Sequence, residues 1–288
     1  MAIRDQSYTR YDGPMREEHS WAIIGWTGFR TYWRFWRTKL TLFVVWLVPV
    51  IFGLLIIAEA ALMDAAPMLG EEMQGGPSHV GISFFLGIQL YALALVYIAR
   101  GCSIISDDLR HQTLQLYFSK PITRLDYAAG KVTTLVLLGL VAVVIPAVML
   151  AGLRTAFYAQ TDMLVDIVIL HMQGALLLAL IVALLSSLVV GLSSLTSRSG
   201  YAVLAWIGLL IVPLIIQVIV GVTTDGSPWL RMLSISGIVG LAGDALMGGA
   251  DVMPAEIPRV VPFFAIFGLI GAGLGALYWR INRIDGVA

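Results

Sequence analysis

Residues 164–190 read LVDIVILHMQGALLLALIVALLSSLVV, a run with one acidic residue, Asp166, one histidine, His171, and no lysine or arginine. A helix rises 1.5 Å per residue, so about 20 mainly apolar residues cross the roughly 30 Å of hydrocarbon in a bilayer. Hydrocarbon offers backbone N–H and C=O groups no partner, and a segment this long and apolar satisfies them only as a helix. The stretch therefore predicts a membrane span. Runs of similar length and apolarity lie at 41–61, 80–99, 132–153, 201–222 and 260–279, which makes six spans in all. Pro49, Pro146 and Pro213 fall inside the first, third and fifth, where a membrane bundle tolerates a kink.

Composition agrees with this reading. Hydrophobic residues make up 59% of the 288 and charged residues 12%, against about 25% charged in a soluble domain. Net charge is zero, so no global field points to nucleic acid. The single cysteine, Cys102, excludes an internal disulfide and a Cys-rich metal site. The first 20 residues are polar and carry Arg4, Arg10 and Arg16, so the first apolar run is expected to stay as a span rather than be cleaved as a signal. With six spans, one face receives both termini, the 100–131 connection and the short turn near Arg198. That face collects 15 of the 18 basic residues. The other face holds only Arg154, Arg231 and Arg259, so both termini are expected to be cytoplasmic.

Residues 1–40 form a cytoplasmic N-terminus and residues 41–288 the six-helix domain. Within 21–39, Arg30, Arg34 and Arg37 fall within about 60° on a helical wheel at 100° per residue. Ala22, Trp26, Phe29, Trp33, Trp36 and Leu40 make an adjoining apolar stripe. This is the pattern of an amphipathic helix at the inner membrane surface, its tryptophans among headgroups and its arginines toward lipid phosphate. The 223–259 connection is a long outer segment. Its middle, 230–246, is apolar enough for a re-entrant or interfacial helix but too short and glycine-rich for a span.

The 100–131 connection reads RGCSIISDDLRHQTLQLYFSKPITRLDYAAGK. Helical spacing places Leu109, Thr113 and Leu116 on one side of a first short helix, Lys120 and Pro121 end it, and residues 123–127 start a second. Such a protrusion suits a groove on another protein. Its ordered features are an acid (Asp107 or Asp108), Thr113, Leu114, Leu116, Ser119, Pro121, Arg124 and then Gly130-Lys131 at the next span. This pattern resembles the permease subunits of type 2 ATP-binding-cassette transporters, the ABC-2 family. The resemblance implies that the N-terminal helix, through Arg30, Trp33, Arg34 and Arg37, contacts a separate nucleotide-binding subunit. It implies the same for Asp107, Asp108, Arg110, Thr113, Leu116, Ser119, Pro121 and Arg124. It further implies a second permease subunit, identical or not, export across the cell membrane, and ATP and Mg held by the partner rather than by this chain.

The phosphate-cradling pattern G-x-x-x-x-G-K-[ST] is missing: Gly130-Lys131 is followed by Val132 and preceded by Leu125 where the first glycine should stand. A membrane-embedded enzyme is the weaker alternative. Arg110 competes for the Asp107-Asp108 carboxylates, His171 and Ser186 are about 22 Å apart along one helix, and no H-E-x-x-H occurs, so no catalytic or metal residue is assigned. An ion-coupled transporter would want ionisable groups at the midplane, and the span centres have none. Glu59, Asp166 and His171 sit toward the outer ends, either as interfacial or bundle-facing polar residues or as an outer gate or substrate contact. Gln89, Gln173 and Gln217 either line a pathway or hydrogen-bond between helices. Gly268, Gly271, Ala272 and Gly275 give the last span a small-residue face for close packing within one subunit or between two.

Overall fold

Apolar runs with no outside partner for their backbone fold as helices, and the computed structural model shows how these helices meet. It describes residues 20–65, 79–114, 117, 122–157, 164–223, 227–248 and 254–283, and among them there is no strand. The helices are α1 (Ser20–Arg34), α2 (Trp36–Ala65), α3 (His79–Arg100), α4 (Ser106–Arg110) and α5 (Arg124–Gly139). A π-helical turn (Leu140–Val144) joins α5 to α6 (Ile145–Phe157). Then come α7 (Leu164–Leu195), α8 (Ser199–Thr223), a 3-10 turn (Pro228–Leu233), α9 (Ile235–Met247) and α10 (Val261–Asn282).

Among the described residues, five helices are long and apolar enough to cross a membrane: Trp36–Ala61 of α2, the continuous α5–α6 helix, α7, α8 and α10. The remaining expected span, 80–99, coincides with α3, whose 22 residues give about 33 Å of helix. Its described apolar stretch, Phe84–Arg100, is shorter than the other five.

The central post is α7. Two-thirds (67%) of its most apolar stretch is buried, against 11% for α8, which turns most of its surface outward. Helix α10 closes on α7 at a crossing without side chains. A Cβ added to Gly273 would lie 2.5 Å from the Ser187 carbonyl oxygen, and one on Gly191 2.6 Å from that of Gly273. Around Gly268, Gly271 and Gly275 a Cβ would meet nothing within 4 Å. The small-residue face expected for close contact is therefore open in this chain, and the crossing uses the opposite side of the helix. Buried aromatic side chains find polar partners between helices. The Tyr97 hydroxyl pairs with Ser186 Oγ at 2.6 Å and donates to the Leu135 carbonyl at 3.1 Å, and Trp206 Nε1 donates to the Ala94 carbonyl at 3.2 Å.

Three boundaries differ from expectation, and a fourth segment is the short helix expected of it. The amphipathic helix stops at Arg34, and Trp36, Arg37 and Leu40 belong to α2; the chain turns at Phe35, whose N–H reaches only the Tyr32 carbonyl. The third span begins at Arg124 rather than near 132, because the capping box of Thr123 and Asp126 starts the helix there. The first helix of the 100–131 connection is short, ending where Gln112 takes a left-handed φ of 55°, so Thr113 does not share a face with Leu109. The middle of the 223–259 segment is the helix α9. At about 20 Å it is too short to cross, and it packs on α3, α7 and α10 through Ile235, Ile238, Val239 and Ala242. The Arg231–Asp244 pair at 2.9 Å pins it.

The glycine crossing is testable by thermal unfolding of detergent-purified protein. Gly273→Val is expected to lower the midpoint by at least 5 °C or abolish expression, whereas Gly271→Val changes it by less than about 2 °C.

Candidate functional site

The basic end of the bundle gathers α1, the first turn of α2, the last turn of α3, α4 and the first turns of α5. Each is held by a specific contact. Helix α1 crosses α5 at small residues. A Cβ on Gly25 would lie 2.8 Å from Thr133 Cγ2, one on Gly28 2.5 Å from Thr134 Oγ1, and one on Gly130 2.6 Å from Ile24 Cβ. Thr134 Oγ1 bridges the two helices within reach of the Gly25 carbonyl, at 3.2 Å, and the Gly130 carbonyl, at 2.9 Å. Opposite this contact, Ile23, Trp26 and Trp33 remain exposed with Arg30 and Arg34.

Arg100 pins the joint between α1 and α2. Its guanidinium lies 4.8 Å from the Phe35 ring centroid and 5.7 Å from that of Tyr32, while Nε donates to the buried Thr38 hydroxyl at 2.8 Å. Stacking and a directed hydrogen bond together use both features of an arginine.

The segment after α3 is fastened to α7 by one hydroxyl. Ser193 Oγ is fully buried, accepts the N–H of Ile105 and of Ser106 at 3.1 Å each, and donates to the Cys102 carbonyl at 2.9 Å. That satisfies three backbone groups that no helix pairs. The same burial pushes the Cys102 thiol up to about 12.

From there α4 leads to Asp108. One carboxylate oxygen sits 2.6 Å from Lys131 Nζ and accepts the Tyr127 hydroxyl at 2.6 Å; the other accepts Thr113 Oγ1 at 3.1 Å. Lys131 also donates to the Ile104 carbonyl at 3.1 Å and faces the rings of Tyr117 and Tyr127, which meet edge-on at 5.2 Å. Burial, followed by the Asp108 charge, holds the Tyr32 and Tyr117 phenols above their ordinary range, so both hydroxyls stay protonated. Arg124 Nη1 reaches Asn282 Oδ1 at 3.3 Å, linking the start of α5 to the end of α10.

The residues expected to face a partner thus divide. Asp108 and Thr113 are spent on the internal cluster. Asp107 is half-buried, and its carbonyl accepts His111 Nδ1 at 2.8 Å. Arg110 is exposed. Leu116, Ser119 and Pro121 lie outside the described residues. Of the amphipathic-helix set, Arg30, Trp33 and Arg34 are exposed on α1 and Arg37 on α2. Beside Arg110 an open groove runs between α4 and the α7–α8 turn, lined by Leu109, Arg110, Ser197, Arg198, Tyr201 and Leu204.

Residues 22–228 match the sequence model of the ABC-2 family transporter protein. The chain belongs to that family. No curated protein matches the chain. As an ABC-2 permease it is a multi-pass membrane protein, and the family implies association with an ATP-binding subunit in general.

Among the described contacts, none joins two of the residues considered for a pathway. Asp166 is exposed, His171 Nδ1 contacts the Ile167 carbonyl of its own helix at 2.7 Å, and Gln173 is half-buried. Gln217 accepts from the Ser234 hydroxyl at the start of α9. Gln89 is fully buried, and neither end of its amide has a partner. Ser193, Arg100 and the Gly25–Gly28 contact went unread in the sequence. Only the glycines carried a signal, as the small positions of a helix otherwise crowded with aromatics.

Replacing Ser193 by alanine leaves two buried N–H groups unpaired, at about 1–3 kcal/mol each. Hydrogen exchange at 105–110 is expected to accelerate at least tenfold. Lys131→Met, which strands the largely buried Asp108 carboxylate, is expected to cost about 2–3 kcal/mol and to loosen the same peptides. Wild-type protection in both variants would refute this account of the loop.

Proposed function

We propose that this permease is the membrane subunit of an exporter powered by ATP hydrolysed on a separate nucleotide-binding chain. In this reading α3 is the sixth span, both termini are cytoplasmic, and the basic end faces the ATPase. Two such subunits, identical or not, enclose the route for cargo. What supports the reading most is the construction of the basic end. The amphipathic helix and the 100–131 connection, distant in sequence, are fastened to the same two turns of α5 by Gly25, Gly28, Asp108 and Lys131. A push on either is delivered to one helix.

Mechanically, the partner presses on α4 and the segment beyond it, with the open groove between Arg110 and Arg198 taking its acidic or carbonyl-rich surface. Asp108 carries the load to Lys131 and hence to α5. Ser193 keeps the root of the loop on α7, so α5 moves against a fixed post. The residues of this chain move no proton and break no bond in that step; they transmit displacement.

The test is purification from the native host in mild detergent, followed by reconstitution. An ATPase chain is expected to co-purify. Arg110→Glu is expected to reduce its retention at least fivefold, and Arg124→Ala to leave ATP hydrolysis running while transport falls at least tenfold, with membrane insertion intact. Transport by a preparation lacking any ATPase, or wild-type coupling in both variants, would refute the proposal.

A further inference from the structure

Pro146 has no N–H to give, so whatever register the helix around it adopts, one carbonyl lacks its intrahelical donor. In the π-helical turn the bonds run five residues back, as the Ile145 N–H to the Leu140 carbonyl shows. The next in that series, from position 146 to the Val141 carbonyl, cannot form. Trp46 fills the place: its Nε1 donates to the Val141 carbonyl at 3.2 Å from α2. In ordinary α-helical register the bonds run four residues back. The deprived carbonyl would then be that of Ala142, in a residue with no exposure at all. Trp46 serves Val141, so an α-helical register would need a different donor for Ala142.

A spare donor stands nearby. Gln89 on α3 is fully buried, and both its Nε2 and its Oε1 lack a partner, which is rare for an amide held away from water. Its height in the bundle follows from a neighbour. Leu93 Cδ1 would lie 3.3 Å from a Cβ on Gly139, and Gln89 is one turn further along the same face of α3. Because α3 and α5 run in opposite directions, one turn beyond Gly139 is Val143, inside the π-helical turn, which packs against α3.

We infer that Gln89 is the reserve hydrogen-bond partner of a hinge in this helix. In the register seen here Trp46 serves Val141 and Gln89 is idle; in a second, α-helical register the Gln89 amide donates to the Ala142 carbonyl. The hinge divides the α5–α6 helix at the point where its basic-end half, carrying α1 and the Asp108 cluster, meets its outer half, tied to α2 by Glu59 and Arg154 at 3.8 Å. An unpaired amide costs stability in one state and is retained because the other state uses it. The transport arm of this inference rests on the exporter reading; the register itself does not.

Three measurements separate these. In the isolated permease, Gln89→Leu is expected to raise the unfolding midpoint by about 2–4 °C, because an idle buried amide is removed; a fall would mean that Gln89 has a partner in this state and would overturn the inference. Spin labels at the exposed Ala129 and Met149 span the hinge. Pro146→Ala restores a donor for Ala142 and is expected to shift their distance distribution in the isolated permease; an unchanged distribution would overturn the second register. In the complex with its ATPase, Gln89→Leu is expected to cut transport at least tenfold, and adding Pro146→Ala to recover most of it, since the α-helical register then needs no help. Wild-type transport in Gln89→Leu, or no recovery in the double variant, would overturn the link between register and transport. Absence of any ATPase would sink the exporter reading while leaving the first two measurements decisive for the hinge.

Discussion

An ionised carboxylate withdrawn from water must find its compensation in the protein, and Asp108 finds it on both sides of the loop that carries it. Lys131 and Tyr127 come from α5, and Thr113 from the segment just beyond α4. Removing one partner leaves a charge that the site was built to neutralise, so the contacts hold or fail together. The rest of the basic end is arranged around this node. Tyr32 brings α1 into the same electrostatic field, Tyr117 closes over the Lys131 ammonium, and the Ile104 carbonyl takes another of its protons.

A rigid node transmits force only if something else stays still and something else gives way. Helix α7 is the still part. It is the most buried of the five long apolar helices among the described residues, closes on α10 through Gly191 and Gly273, and holds the root of the loop through Ser193. The yielding part is the π-helical turn, where Pro146 removes a bond and an indole from α2 stands in. The Arg100 stack on Phe35 and Tyr32 lies between, letting α1 turn into α2 without exposing Thr38.

How much of this was legible beforehand follows from which forces act locally. The spans were readable because hydrocarbon thickness sets a minimum run length, and the loop was readable because its residue order resembles a family pattern. The stop at Arg34 was not, since residues 21–40 keep one amphipathic stripe and no Gly or Pro marks Phe35. Neither was the break at Gln112, which adopts a left-handed φ that its residue type does not announce. Asp107 and Asp108 were equivalent on paper, and only the approach of α5 distinguishes them. On α10 small residues occur on two faces, and spacing alone cannot say that Gly273 is the one against a backbone. For the glutamines of the spans the sequence left a pathway and a hydrogen bond between helices both open, because it gives no view of their neighbours; Gln217 accepts from the Ser234 hydroxyl at the start of α9, and the Gln89 amide is idle.

The central claim is that α1 and the first half of α5 form one body that moves against α7. Spin labels at Thr27 on α1, Ala129 on α5 and Leu195 at the end of α7, all exposed, report on it directly in the ATPase-bound complex. Between the nucleotide-free and ATP-trapped states, the 27–129 distance is predicted to stay constant while 129–195 and 27–195 change together. A 27–129 distance that changes as much as the other two would contradict the account.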